Sequence, residues 1–214
     1  MASPIKWSNV AVAMQSVLGA EKTITGITKA STGVATSTAH GLANGTYGVL
    51  SVQGMSQLDE KIVRVANQAT NTFELEGIDT TLFDTFTSGT FTPITFGTNI
   101  TTATTISASG GDYDQIDTTT IHANAKSQIP GLPNASTFTF DNIWDPSDTG
   151  LTALKTASDS QSKRAFRFTF GLGGKVMLFY GYVGASLLPT GSAQQLVTTQ
   201  AVITMNGTPT YYAS

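Results

Sequence analysis

Three carboxylates crowd the run GGDYDQID: Asp112, Asp114 and Asp117. Oxygen ligands at alternate positions suit a hard cation such as calcium, given a Gly at the sixth place of the loop and a bidentate Glu at the twelfth. Counted from Asp112, those places hold Asp117 and Ala123, so the regular loop is not met. Two readings stay open: an irregular cation site, or a tight Asp-capped turn that is solvated or paired across an interface. The other chemistry-bearing types are sparse. His40 and His122 are the two histidines; neither belongs to a spaced ligand set, and both read as turn and surface residues. Cysteine is absent, which removes disulfides, thiolate catalysis and cysteine-held metals together. Ser160 and Lys163 form an S-x-x-K pair without its partner motifs, no G-x-S-x-G elbow occurs, and Gly174-Lys175 leads to Val176 where a phosphate loop needs Ser or Thr. Asn44, Asn99, Asn134 and Asn206 each begin an N-x-S/T triplet and read as turn formers. The expectation is a non-enzyme with no catalytic, cofactor-binding or metal-binding residues.

Lys163, Arg164 and Arg167 gather three of the eleven basic residues before and within a strand. They read either as a contact for an acidic patch on a neighbouring copy, with Asp112–Asp117 as the candidate, or as a solvated strand end. Charged residues are 12% of the 214, against a typical ~25%. A surface so dependent on Thr and Ser hydroxyls fits extensive contact with other protein better than life as a free monomer. A net charge of −3 opposes a tight, non-specific grip on nucleic acid, which needs clustered Lys and Arg. The first twenty residues hold neither a signal-peptide core nor an apolar membrane span, so a soluble protein without a membrane anchor, not secreted by the usual route, is expected.

These groups must be held by β-structure. Short runs of Thr, Val, Ile and Phe punctuated by Gly, Asn and Pro predict strands over 23–28, 47–53, 61–66, 72–76, 136–142, 165–170, 176–183 and 197–205. GLGGKV, residues 171–176, predicts a hairpin turn. DPSDTGLTALKTASDS predicts one short helix, with Asp145 as N-cap, Pro146 in the first turn and Leu151, Leu154 and Ala157 on its apolar stripe; Gly150 weakens it. In IPGLPNASTFTFD, Pro130 and Pro133 fix φ and remove two backbone donors, which predicts a rigid corner that cannot extend a sheet and that aims the preceding arm at a neighbouring copy.

Residues 23–93, through the pieces AHGL, NGTYGVLSVQGM, LDEKIVRVANQATNTFEL and GIDTT, resemble a small β-module that recurs in phage virion proteins and is related to a half-domain of ubiquitin-activating enzymes. The rest of the chain, through DQIDTTT, IPGLPNASTFTF, WDPSDTGLTAL and ITMNGTPT in that order, resembles the tail tube (major tail) proteins of long-tailed, non-contractile, siphovirus-type phages. The resemblance implies a mainly β fold: a tail-tube β-sandwich of residues 1–22 and 94–214 with one short flanking helix, plus a small, barrel-like inserted β-module over 23–93.

It further implies hexameric rings of the chain itself, stacked head to tail into a tube that conducts double-stranded DNA without holding it. Tape-measure, tail-tip and tail-terminator proteins are the implied partners, the phage tail the location, and the bacterial cytoplasm the place of synthesis. The assembly-interface candidates are Asp112, Asp114, Asp117, Pro130, Pro133, Lys163, Arg164 and Arg167. The insert is expected to project outward, bracing rings or touching the host surface, and its removal to leave tube formation possible. Segments such as TFGTNITTATTISASGG suit arms that order on stacking. The alternative reading is a virion-surface adhesin or carbohydrate- or receptor-binding β-sandwich; Trp7 and Trp144, far apart with no aromatic cluster, speak against it.

Overall fold

A computed structural model describes residues 7, 9–171 and 174–213. In chain order the elements are β1 (Val10–Leu18), β2 (Lys22–Ile24), β3 (Gly26–Ile27), β4 (Val34–Thr36), β5 (Tyr47–Gln53), a 3-10 turn (Ser56–Leu58), β6 (Ile62–Ala66), β7 (Thr72–Leu75) and β8 (Ser88–Ile100). There follow β9 (Ala103–Ser109), β10 (Tyr113–Asp117), β11 (Gln128–Pro133), β12 (Thr137–Ile143), α1 (Thr149–Asp159), β13 (Lys163–Phe170), β14 (Val176–Ala185) and β15 (Thr198–Tyr212). One long curled sheet runs β3-β4-β7-β6-β5-β8-β1-β13-β14-β15-β12-β9, with β2 also paired to β8; β10 and β11 form a separate two-stranded sheet. The fold is mainly β and sandwich-like, with a single α-helix among the described residues.

Period-two burial builds three cores. In β5 the inward positions are Gly48, Leu50 and Val52. Gly48 is obligatory, since a Cβ there would lie 2.2 Å from the Phe91 ring that packs on it. Leu50, Met55, Leu58, Phe73 and Phe91 centre a core formed by β2 to β8. Val12, Met14, Phe140, Phe166, Phe168 and Phe179 centre another, closed by Leu151, Leu154 and Ala157 of α1. A third core joins Ile62 and Ile94 to Ala165, Val176, Leu178 and Tyr212. β8 takes part in all three. Its first half pairs with β5 and β2, its second half with β1; the β5 ladder runs through Pro93, while on the other side Pro93 falls between the β2 and β1 ladders.

Several expectations need correction. The run 23–28 is broken into β2 and β3, and the last strand continues seven residues past Met205 to Tyr212. The helix N-cap is Asp148, whose Oδ1 accepts the Leu151 N–H at 2.8 Å; Asp145 instead closes the preceding turn on Ser147 N–H at 2.9 Å. Residues 103–109 are no unpaired arm: β9 pairs with β12 along its length. β13 and β14 are antiparallel neighbours, as a turn at 171–176 requires, although Leu172 and Gly173 lie outside the described residues. So do residues 1–6 of the segment assigned to the sandwich. His40 is buried rather than on the surface. Its Nδ1 accepts the Leu42 N–H at 3.0 Å, so Nε2 carries the proton toward the Thr72 carbonyl at 3.2 Å.

Candidate functional site

The acidic run and the two prolines come together in one projection. β10 and β11 pair antiparallel, with Tyr113 opposite Pro133, Gln115 opposite Pro130, Ile116 opposite Ile129 and Asp117 opposite Gln128. Every residue from 113 to 130 is exposed. The rigid corner is therefore corrected to a strand: Pro130 and Pro133 both lie within β11. Proline is excluded from central strands because it cannot donate to a ladder, but in a two-stranded sheet both strands are edges. The register slips between Tyr113 and Gln115, and Gly131 backs onto the Asp114 carbonyl there.

The tight turn over Asp112–Asp117 is likewise corrected, since Asp114 and Asp117 stand in β10. Asp117 Oδ1 accepts the Thr119 N–H at 2.8 Å; hydrogen bonds from the Thr119 side chain and backbone hold its pKa below the usual carboxylate range. Asp114 Oδ1 accepts from Asn134 Nδ2 at 3.0 Å, and the Asp112 carbonyl accepts the Asn134 N–H at 2.8 Å. Among the described residues no three His, Asp or Glu side chains converge as a metal site requires.

Sequence reasoning missed the apolar content of this hairpin. Tyr113, Ile116, Ile121, Ile129 and Leu132 are all exposed, Ile121 at 95% and Leu132 at 82%. The available signal was their position between Asp, Thr and Pro, with no alternation to place them on a buried face.

The three basic residues do not form one patch. Lys163 forms an ion pair with Glu60, 103 positions away, and its ammonium lies 5.3 Å from the Tyr182 ring centroid. Burial works to lower its pKa, but the hydrogen bond and charge of Glu60 prevail and raise it. Arg167 sits mid-sheet between Ala13 and Leu178. Its guanidinium is 5.1 Å from the Phe96 ring centroid and 6.0 Å from that of Tyr47, and its buried Nε has no hydrogen-bond partner. Arg164 alternates to the opposite face from these two, and its Nη1 donates to the Lys163 carbonyl at 3.3 Å. Among the described residues, the ion pairs join Arg64 to Glu76, Lys155 to Asp159 and Lys163 to Glu60, and the hairpin carboxylates take part in none of them.

A cleft of about 690 Å³ between the start of β1, the end of β8 and β9 is lined by Trp7, Asn99, Thr105 and Ile106 among others, and none of its lining residues is titratable. No helix among the described residues is long and apolar enough to cross a membrane. The geometry thus offers surfaces rather than a reaction centre: an exposed apolar and acidic hairpin, and open sheet faces. A family model described as phage tail tube protein, TTP, matches residues 53–214, which is most of the chain. No curated protein matches.

Proposed function

Because the chain belongs to the phage tail tube protein family, we propose that its copies close into hexameric rings, that the rings stack head to tail as the tube of a siphovirus-type tail, and that the β10–β11 hairpin is the arm by which one copy grips the next. The protein is structural, a component of the phage tail, and not an enzyme. In the proposed assembly the tube conducts the genome, and its ends meet the tape-measure, tail-tip and tail-terminator proteins after synthesis in the host cytoplasm.

The hairpin carries this reading. An isolated two-stranded hairpin is marginal in water, and this one buries none of its five large apolar side chains. A second chain supplies the missing surface, and head-to-tail contacts of this heterologous kind generate rings and stacks. Pro130 and Pro133 stiffen the arm and withhold two donors from uncontrolled pairing. Asp112, Asp114 and Asp117 give it negative charge, for which Arg164 of the neighbouring copy is the candidate partner; Lys163 and Arg167 are engaged within their own subunit.

The insert over 23–93 is then a small β-domain set on a tube domain of 1–22 and 94–214, outside the channel, where it braces the rings or touches the host. Its own core and its adjoining ends support this, with Gly19 N–H donating to the Pro93 carbonyl at 2.8 Å.

Negative-stain microscopy of the concentrated protein should show rings or tubes of uniform diameter. Ile116→Asp combined with Leu132→Asp should abolish stacking while leaving circular dichroism and Tm unchanged. A wild-type chain that stays monomeric, or a double variant that assembles normally, removes the assignment.

A further inference from the structure

The β10–β11 arm and the β14–β15 connection leave the sheet at opposite ends of the same strands. β12 begins at Thr137, opposite Ser109 at the end of β9, and the arm springs from these two residues. β12 ends at Ile143, opposite Thr198 at the start of β15, and residues 186–197 close that end. The seven residues of β12 separate the two by roughly 20 Å, at about 3.3 Å per residue.

The connection is pinned although much of it faces water. Thr190 and Thr198 exchange backbone hydrogen bonds, both at 2.8 Å. Trp144 N–H donates to the Val197 carbonyl at 2.9 Å, and its indole Nε1–H to the Leu187 carbonyl at the same distance. At the root of the loop the Ala185 N–H donates to Ser158 Oγ of α1 at 3.0 Å. Leu187 packs against the first core with φ +53°, a left-handed conformation that a bulky side chain rarely adopts. Strain of this kind persists only where its surroundings enforce it, and it clusters at functional positions. Leu187 faces inward and its neighbour outward. Leu188 is 69% exposed and Leu196 66%, with Val197 and Ile143 also exposed at this end. A hollow of about 730 Å³ runs beneath, lined by Lys155, Ala185, Leu188 and Thr190 among others.

The two ends are complementary. The arm exposes Ile116, Ile129 and Leu132 together with three carboxylates. Residues 186–197 hold no charged side chain, so nothing in the loop repels those carboxylates. Arg164 stands in the first residues of β13, opposite Gly181, toward the loop end of β14, while Lys155 is paired with Asp159. Apolar centres with charge at the rim are the ordinary anatomy of a protein contact. Unlike patches at opposite ends of one subunit join copies head to tail. A seat already held in place also lowers the ordering cost of binding an arm that is marginal by itself.

We propose that the 186–197 loop, through Leu188 and Leu196, is the seat that receives the β10–β11 arm of a second copy of this chain in the adjoining ring. The apolar side chains of the arm cover the two leucines, and its carboxylates fall toward Arg164. This inference rests on the tube reading above and names the surface that its arm takes hold of.

Wild-type protein is first shown to form tubes by negative-stain microscopy; a chain that forms none overturns the proposed function itself. Leu188→Asp combined with Leu196→Asp changes two exposed side chains, so circular dichroism and Tm should match wild type while tubes are lost. Wild-type tube formation by this variant, where Ile116→Asp with Leu132→Asp forms none, leaves the arm reading standing and overturns the seat. A second measurement decides the matter even if the Asp variant proves unstable. The chain has no cysteine, so Leu132→Cys and Leu196→Cys in one chain supply its only two thiols. Tubes of this variant, treated with a flexible bis-maleimide, should give a ladder of covalent oligomers beyond the dimer on a denaturing gel. Each single-cysteine variant should stop at the dimer. Double-cysteine tubes that give no ladder, or single-cysteine tubes that give the same one, overturn the seat.

Discussion

The Tyr212 hydroxyl accepts the backbone N–H of Arg64 at 2.7 Å, and the Arg64 guanidinium lies 4.5 Å from the centroid of the same ring. Tyr212 ends β15 and Arg64 lies in β6, 148 positions earlier. Around this contact Lys61 Nζ donates to Thr208 Oγ1 at 2.9 Å, Glu60 pairs with Lys163, and Arg64 is itself held by Glu76. The end of the last strand is therefore clamped by the β5–β6 hairpin, with the third core between them.

Tyr212→Phe keeps the ring and its stacking but removes the acceptor from a partly buried N–H. Loss of such an acceptor costs roughly 1–3 kcal/mol. Urea unfolding should show a lower midpoint at unchanged slope. An unchanged midpoint would mean that water replaces the hydroxyl and that the clamp is held by apolar contact alone.

The same hydroxyl sets an alkaline limit. Burial, opposed in part by the Arg64 hydrogen bond and charge, pushes the Tyr212 pKa up to about 12. In the unfolded chain it titrates near the ordinary phenol value of about 10. The folded state thus favours the protonated phenol, and that stabilisation is fully present below about pH 10 and lost as pH rises toward 12. Stability measured from pH 9 to 12 should fall more steeply for wild type than for Tyr212→Phe. Parallel curves would assign the alkaline loss to other groups.

Gly150→Ala separates local propensity from packing. In a free helix, Ala is favoured over Gly by about 1 kcal/mol. Here an added Cβ at the second residue of α1 would stand 2.5 Å from the Asn99 carbonyl oxygen and 3.3 Å from Ile100 Cα, both backbone atoms of β8. Forcing α1 off the sheet costs typically 1–3 kcal/mol, so the variant should be destabilised despite its better helix former. A rise in Tm would show that α1 shifts outward without loss.

Legibility in the sequence followed burial. β5 was read to the residue, and Leu151, Leu154 and Ala157 gave the buried stripe of α1, because each element has one buried and one wet face. β8 was missed: TFTPITFGTNI contains Pro93 and Gly97 and serves different cores along its length, so no single alternation runs through it. β10 and β11 were missed for the opposite reason, since a strand exposed on both faces has no pattern to show. Of the candidate site, the sequence marked the carboxylates and prolines of the arm but not its Ile and Leu side chains. The Glu60 partner of Lys163 was out of reach, because a separation of 103 positions carries no signal of contact. His40 was misplaced because a turn histidine gives no hint that its ring packs 5.2 Å from Phe73.

Excising residues 23–93 tests how far the insert is a separable brace. Reading the sequence alone suggests that the remaining chain would still form tubes. The structure argues for a different outcome. The cut removes the half of β8 that pairs with β5 and β2, and it takes Ile62, Tyr47 and Val49 from the third core. Ala165, Val176, Leu178 and Tyr212, all buried in the intact chain, would then face water on one sheet surface. An uncovered apolar sheet face of that kind is a site of aggregation. Lys163 and Arg167 would lose Glu60 and the Tyr47 ring as well. The truncated chain is expected to be insoluble or to lack a cooperative melting transition. A milder cut that spares the clamp, replacing residues 28–33 between β3 and β4 by a short Gly-Ser linker, should stay folded. Soluble, cooperative melting and tube formation by the full excision would show that the tube domain repacks its exposed face, and that the clamp on Tyr212 is not needed for the subunit to fold.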